Sequence, residues 1–427
     1  MSTLTHSVPR KSSIPSFPHI ARKIGVASLT LFGAFVAVLL CVPLLLLPLT
    51  TAVPALIWIT LIVAAGAVAY AAFHFLQPLA AFGAMYAGFV ILSLLAVWAS
   101  QLFAATPPIT DANGKPLPNS IAVMEKVNLG GSEQWITIRG KDVNKPVLLY
   151  LGIGGPGAGG FPANFTSLQP LEDHFVVVNW DQPGTGKSYD AVPISTLTVD
   201  RFVSDAHELT QLLRARFHQE KIYVMGLSWG TILGTKLVHQ YPELFHAYLG
   251  MGQMVNTTEN DRIGYELALR IANERGDMNL VETLRRNGPP PYVGEGMALK
   301  YAVYNNVLFD YMGNARLELI LTLVPQLARE YGLWDRVNFD RGLIESFAVV
   351  YPQLRELDFT TEANQIDVPM YFLHGHNDVN ATASLVERYF NVLQAPRKEL
   401  IWLESGHSAG AEEILDAMLN HVLPQTQ

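Results

Sequence analysis

A single cysteine, Cys41, in 427 residues excludes a disulfide-stapled scaffold. Charge is also scarce: 15% of residues are Asp, Glu, Lys or Arg, against 50% hydrophobic, and the mean hydropathy is +0.22. A chain of this kind can build a core, which excludes a disordered protein. The net charge of −8 gives no basic footprint for nucleic acid. The sharpest absence is local. From Ile24 to Thr110, a run of 87 residues, there is no Asp, Glu, Lys or Arg. Before Asp111 the charged residues are Arg10, Lys11, Arg22 and Lys23. The rest of the chain holds 25 of the 29 basic residues and all 37 acidic ones, net −12. Two units are therefore expected: an apolar N-terminal one and an acidic, water-facing one.

A span of the bilayer takes about 20 apolar residues. The charge-free run is long enough for several, and it breaks near Pro48–Pro54 and at Gln77-Pro78. Three helices are expected, over about 24–49, 53–76 and 79–105. A cleaved signal peptide does not fit, because the apolar run continues far beyond one short hydrophobic region. The basic tail puts the N-terminus on the cytoplasmic side, and three spans then carry residues 111–427 to the extracytoplasmic side. The expected localisation is the cell membrane, multi-pass, with the lipid bilayer as partner.

Beyond Pro107-Pro108 the pattern changes to short apolar runs alternating with helical periodicity. Strands are expected at 135–139, 146–151, 175–180, 221–225, 246–251, 368–373 and 399–403, and helices at 198–217 and 231–240. Short, continuously apolar strands alternating with helices predict a mostly parallel sheet covered on both faces. Between about 253 and 365 the periodicity is helical, as at 259–275, 296–311 and 317–331, and predicts an inserted helical layer rather than a loop. The expected organisation is a tail (1–23), a transmembrane region (24–106), a first core segment (107–252), the helical insertion (253–365) and a second core segment (366–427).

The chemistry is concentrated at expected strand ends. Gly226-Leu-Ser228-Trp-Gly230 joins a strand to a helix, the context of a nucleophile elbow. The flanking glycines relieve crowding, and the serine Oγ projects above the sheet. Such a serine needs a base, and the base an orienting acid. Asp378 follows the strand at 368–373, and His407 follows the strand at 399–403. The order Ser228, Asp378, His407 is that of the α/β-hydrolase arrangement. Gly152-Ile-Gly154-Gly155-Pro-Gly157 also follows a strand. Its dinucleotide reading lacks a following helix and a suitably placed acid; the alternative is an oxyanion loop in which Gly155 or Gly154 pairs with the N–H of Trp229. Asp181-Gln-Pro-Gly-Thr-Gly-Lys-Ser188 has Asp181 where a phosphate loop needs glycine. His374-x-His376-x-Asp378 lacks the next histidine of a binuclear metal motif.

Together these residues resemble the proline iminopeptidase (prolyl aminopeptidase) family of α/β-hydrolase serine peptidases. The family's glycine loop is matched by Ile153-Gly-Gly-Pro-Gly157, its second motif by Asp181–Ser188, its elbow by Gly226–Gly230 and its histidine loop by Ser405-Gly-His-Ser408. Ile153 stands where the family has histidine. The resemblance covers about 120–425. It implies an α/β-hydrolase fold with a helical cap, here preceded by an all-α transmembrane region, and an activity that releases an N-terminal residue from small peptides through an acyl-enzyme. The family's cap acids bind the substrate's free amine; Glu259, at the cap entrance, is one candidate. This chemistry requires neither metal nor organic cofactor. Two other readings stand beside the peptidase: an esterase or lipid hydrolase with the same triad, and a non-enzymatic membrane scaffold. The sequence carries no statement of oligomeric state.

Overall fold

The computed structural model describes residues 17–152, 154–313 and 327–426. The chain divides into two compact units, one of Met1–Pro48 and Pro54–Trp98, the other of Leu49–Val53 and Ala99–Gln427.

Three helices account for the charge-free run: Phe17–Thr50, Ala55–Phe75 and Pro78–Leu102. Leu31–Thr50 of the first and the whole of the other two are long and apolar enough to cross a membrane. Pro54 and Pro78 stand immediately before and at the start of the second and third helices, where a missing N–H costs nothing. Ala72, Ala81, Met85 and Phe89 form a small packed cluster among them.

The second unit is built on one eight-stranded sheet. Its strands are β1 (Ile121–Leu129), β2 (Ser132–Gly140), β3 (Val147–Tyr150), β4 (Val176–Asp181), β5 (Ile222–Leu227), β6 (Phe245–Met251), β7 (Met370–Gly375) and β8 (Lys398–Leu403). Their order is β1-β2-β4-β3-β5-β6-β7-β8. β1 pairs antiparallel with β2, and β2 antiparallel with β4; all later pairings are parallel. Alternate residues feed two separate cores. Val147, Leu149, Val176, Val178, Ile222 and Val224 face one. Leu148, Tyr150, Val177, Tyr223 and Met225 face the other. Each such side chain contributes about 1.5–3 kcal/mol when fully buried, so the central strands read as unbroken apolar runs.

β1 is an addition to the sequence reading. It is an edge strand carrying Glu125 and Lys126, and its residues are mostly half-buried. The turn into β2 is Gly130-Gly131, with φ of +55° and +75°, as a two-residue hairpin turn demands.

Between β6 and β7 lie the helices Thr257–Glu274, Met278–Asn287, Met297–Tyr311 and Leu333–Val350. They share a core that includes Tyr265, Ile271, Leu284, Tyr301 and Leu308. The helix expected at 317–331 falls mostly outside the described residues; 327–331 form turns.

Candidate active site

The sheet places the candidate residues at the carboxyl ends of its parallel strands, where ligands of open α/β sheets bind. Ser228 stands between β5 and the helix Trp229–Gln240, with φ +54° and ψ −114°. A non-glycine residue held there is strained, and strain of this kind collects at functional sites. The flanking glycines explain how the turn fits. A Cβ on Gly226 would lie 2.3 Å from the Gly230 carbonyl oxygen, and one on Gly230 would lie 2.8 Å from that of Leu151.

Asp378 follows β7 and His407 follows β8. Asp378 Oδ2 meets His407 Nδ1 at 2.9 Å, with both side chains buried. Asp378 Oδ1 accepts the backbone N–H groups of Asn380 (2.9 Å) and Ala381 (2.8 Å). Burial pushes the carboxyl up, but His407 and the other donors outweigh it and hold the group below its ordinary value. The carboxylate therefore stays charged and fixes the Nδ1–H tautomer of His407, leaving Nε2 with a lone pair. Nε2 faces the Asn380 side-chain amide at 3.1 Å.

His374 is fully buried. Its Nε2 bonds the Ala381 carbonyl (2.9 Å), and burial holds its pKa down. His376 stacks on Trp402. Both histidines are thus occupied in shaping the loop that carries Asp378. Among the described residues no cluster of three His, Cys, Asp or Glu side chains is arranged to hold a metal ion.

The glycine loop after β3 approaches Ser228. Trp229 N–H donates to the Gly154 carbonyl at 3.3 Å, so the 154–155 peptide presents its oxygen to that N–H in this conformation. Gly154 has φ +83°, a conformation open to glycine. Ile153 lies outside the described residues.

The Asp181–Ser188 segment props up this loop. Gln182 Nε2 donates to the Leu151 carbonyl (2.9 Å), and Gln182 Oε1 accepts from the Trp229 indole Nε1 (2.9 Å). One side chain thereby ties the base of the glycine loop to the residue after the serine. Asp181 accepts from Tyr331 Oη (2.8 Å), Lys187 N (2.9 Å) and Gly160 N (3.1 Å). Its full burial pushes its pKa up to about 7 despite those bonds.

A cavity of about 260 Å³ joins these parts. Gly154, Gly155, Ser228 and His407 line one side; Asn260, Asp261, Tyr304, Leu308, Phe347 and Tyr351 line the side formed by the inserted helices. Glu259 is not among the lining residues; it pairs with Arg388. The buried carboxylate in the wall belongs to Asp261, two residues on, and the sequence reading did not select it. Asp261 Oδ1 accepts Tyr351 Oη (2.7 Å) and Tyr304 Oη (3.1 Å). Burial pushes its pKa up to about 6, with the tyrosine bonds pulling the other way. Among the described residues no Lys or Arg pairs with it. The available signal was helical spacing: Asp261 falls on the buried stripe that continues through Gly264, Tyr265, Ala268, Ile271 and Ala272 of the same helix.

The fold and the serine elbow define the class: the second unit is an α/β hydrolase. Residues 171–284 match the serine aminopeptidase S33 family. The probable aminopeptidase YbaC of Bacillus subtilis is 31% identical over 303 residues, covering 70% of this chain and 94% of that protein. The proline iminopeptidase of Heyndrickxia coagulans is 24% identical over 263 residues, covering 61% of this chain and 84% of that protein. A proline iminopeptidase-related protein of Thermus thermophilus superposes with a TM-score of 0.50 at 22% identity, covering 72% of this chain and 98% of that one. The chain belongs to the serine aminopeptidase S33 family and is a hydrolase.

Proposed function

We propose that the protein is a membrane-anchored serine aminopeptidase that removes an N-terminal residue, proline being the first to test, from small peptides. The observation that carries this reading is Asp261: a buried carboxylate without a cationic partner among the described residues, in the wall of the cavity that also holds Ser228 and His407. A buried carboxylate is stabilised by an opposite charge, and a substrate's terminal ammonium supplies one.

Ser228 Oγ attacks the carbonyl carbon while His407 Nε2 takes its proton. Asp378 holds the imidazole and balances its positive charge. His407 then protonates the leaving amine, and water hydrolyses the acyl-enzyme by the same route. The oxyanion takes the Trp229 N–H once the 154–155 peptide turns, which brings the Gly155 N–H to face it; glycine on both sides of that peptide permits the rotation. The three apolar helices anchor the enzyme, and the basic tail gives an extracytoplasmic catalytic unit. Protease accessibility of residues 111–427 in sealed vesicles tests that side.

Hydrolysis of proline arylamide, N-acetylproline arylamide and a short acyl ester by the full chain tests the activity. Cleavage of the first alone supports the reading, together with loss of both cleavage and fluorophosphonate labelling in Ser228→Ala. Preference for the ester would move the assignment to an esterase, which the apolar wall of Leu227, Met254, Leu308, Phe309, Phe339 and Phe347 favours. Absence of both activity and labelling would leave the scaffold.

A further inference from the structure

The helix that carries Asp261 is hydrogen-bonded to the loop that carries the catalytic acid. Asn260 Nδ2 donates to the Asn380 carbonyl at 2.7 Å, and Asn260 Oδ1 accepts the Thr382 N–H at 2.8 Å. Asn260 thus grips the loop at two points, next in sequence to the carboxylate assigned to the amine. That loop is also fixed on Asp378, through the N–H groups of Asn380 and Ala381, and on His374, through the Ala381 carbonyl.

The Asn380 side chain completes the connection. His407 Nδ1 faces Asp378, so Nε2 presents a lone pair. The Asn380 atom facing it at 3.1 Å is the amide nitrogen Nδ2, which donates to the lone pair of the neutral imidazole. The amide therefore occupies the lone pair that must accept the Ser228 proton. Asn260, Asn380, Ser228 and His407 all border one cavity, so the amide can exchange this bond for one to substrate.

We infer that Asn380 is a positioning residue that holds the catalytic base disengaged until a substrate amine is seated at Asp261, with Asn260 linking the two. The inference rests on the aminopeptidase reading for its trigger. It explains how a reactive serine can be restricted to substrates with a free N-terminus: an amine-free ester or water does not pull on the helix, and the base stays held by the amide. Asn380→Ala removes the amide yet keeps the backbone bonds to Asp378 and Asn260. Asn260→Ala keeps the amide and cuts the link.

The experiment uses the full chain in detergent. It measures the rate of fluorophosphonate labelling, and kcat/KM for proline arylamide and for a short acyl ester. Asn380→Ala is expected to label about fivefold faster, the worth of one hydrogen bond of ordinary net strength. Its preference for the amide over the ester should fall by a similar factor. Asn260→Ala should lower that preference in the same direction, and it decides the matter if Asn380→Ala does not fold. A damaged site would label more slowly. Labelling that is unchanged or slower, with Tm unchanged, overturns the inference. Faster labelling in Asn380→Ala beside a wild type that ignores the free amine would remove the aminopeptidase reading and the trigger, while keeping the hold on the base.

Discussion

Asp261→Asn separates substrate recognition from structure with one atom. Asn retains an oxygen for the Tyr351 and Tyr304 hydroxyls, which both bond Oδ1, so packing is preserved while the charge goes. Loss of one partner of a buried, hydrogen-bonded charge pair costs about 3 kcal/mol, or roughly 150-fold in kcat/KM on proline arylamide. The short ester brings no ammonium and is expected to keep most of its rate. Stability should move the other way. The group's pKa is 3.8 ordinarily and about 6 in the fold, so the folded state holds the proton more tightly than the unfolded one. Wild-type stability therefore declines as pH rises from about 4 through 6, by up to about 3 kcal/mol, and Asn escapes that loss. Thermal unfolding at pH 8 should show Asp261→Asn melting higher by roughly 5 °C, with the gap closing as pH falls toward 4. On the substrate side, KM for the amide should rise in the wild type as pH drops below about 6. Equal losses on amide and ester, or a lower Tm at pH 8, would refute the reasoning.

Other perturbations probe the remaining parts. Asp378→Asn keeps the shape but disturbs the His407 tautomer, so kcat is expected to fall by about 10⁴; steady-state kinetics against both substrates checks this. Because the Asp378 carboxyl is held below its ordinary value, its ionisation adds stability that is present above the unfolded pKa and is lost as pH falls through the lower, folded one. The wild type should therefore lose more Tm than Asp378→Asn only at the acid end, below about pH 4. Gln182→Leu leaves the Trp229 indole N–H buried without its acceptor, at a cost of about 1–3 kcal/mol, and frees the glycine loop. Denaturant unfolding should register the first, and a drop in kcat with KM held the second. Ser228→Gly relieves the positive φ and should raise stability by about 1 kcal/mol while abolishing fluorophosphonate labelling; unchanged stability would mean the turn is not strained.

How much of this was legible beforehand depended on whether a residue's role is local. The charge-free run reads directly as three helices because a stretch of about 20 uncharged, apolar residues leaves a one-dimensional signature. The parallel strands read because both their faces are buried. The elbow reads because its glycines are demanded within five residues. β1 was harder: Glu125 and Lys126 interrupt its alternation, and the Gly130-Gly131 pair was the better clue. Asp261 was harder still. Glu259 and Asp261 sit two positions apart on one helix, and only the packing of Tyr304 and Tyr351 turns one toward the cavity and leaves the other to Arg388.

The same distinction explains what the second motif of the resemblance does. Asp181–Ser188 has the glycines and lysine of an anion loop, yet its side chains point inward. Gln182 bridges Leu151 and Trp229, Asp181 collects Gly160, Lys187 and Tyr331, and Ser188 Oγ accepts from Trp135 N at 2.8 Å. Lys187, the residue a phosphate would need, is instead committed to Asp335 at 2.8 Å, with both side chains buried. In the proposed mechanism this motif serves Ser228 from behind: backbone donors can be aimed at an oxyanion only if the loop bearing them is fixed. Here one glutamine amide fixes both the loop and the residue after Ser228.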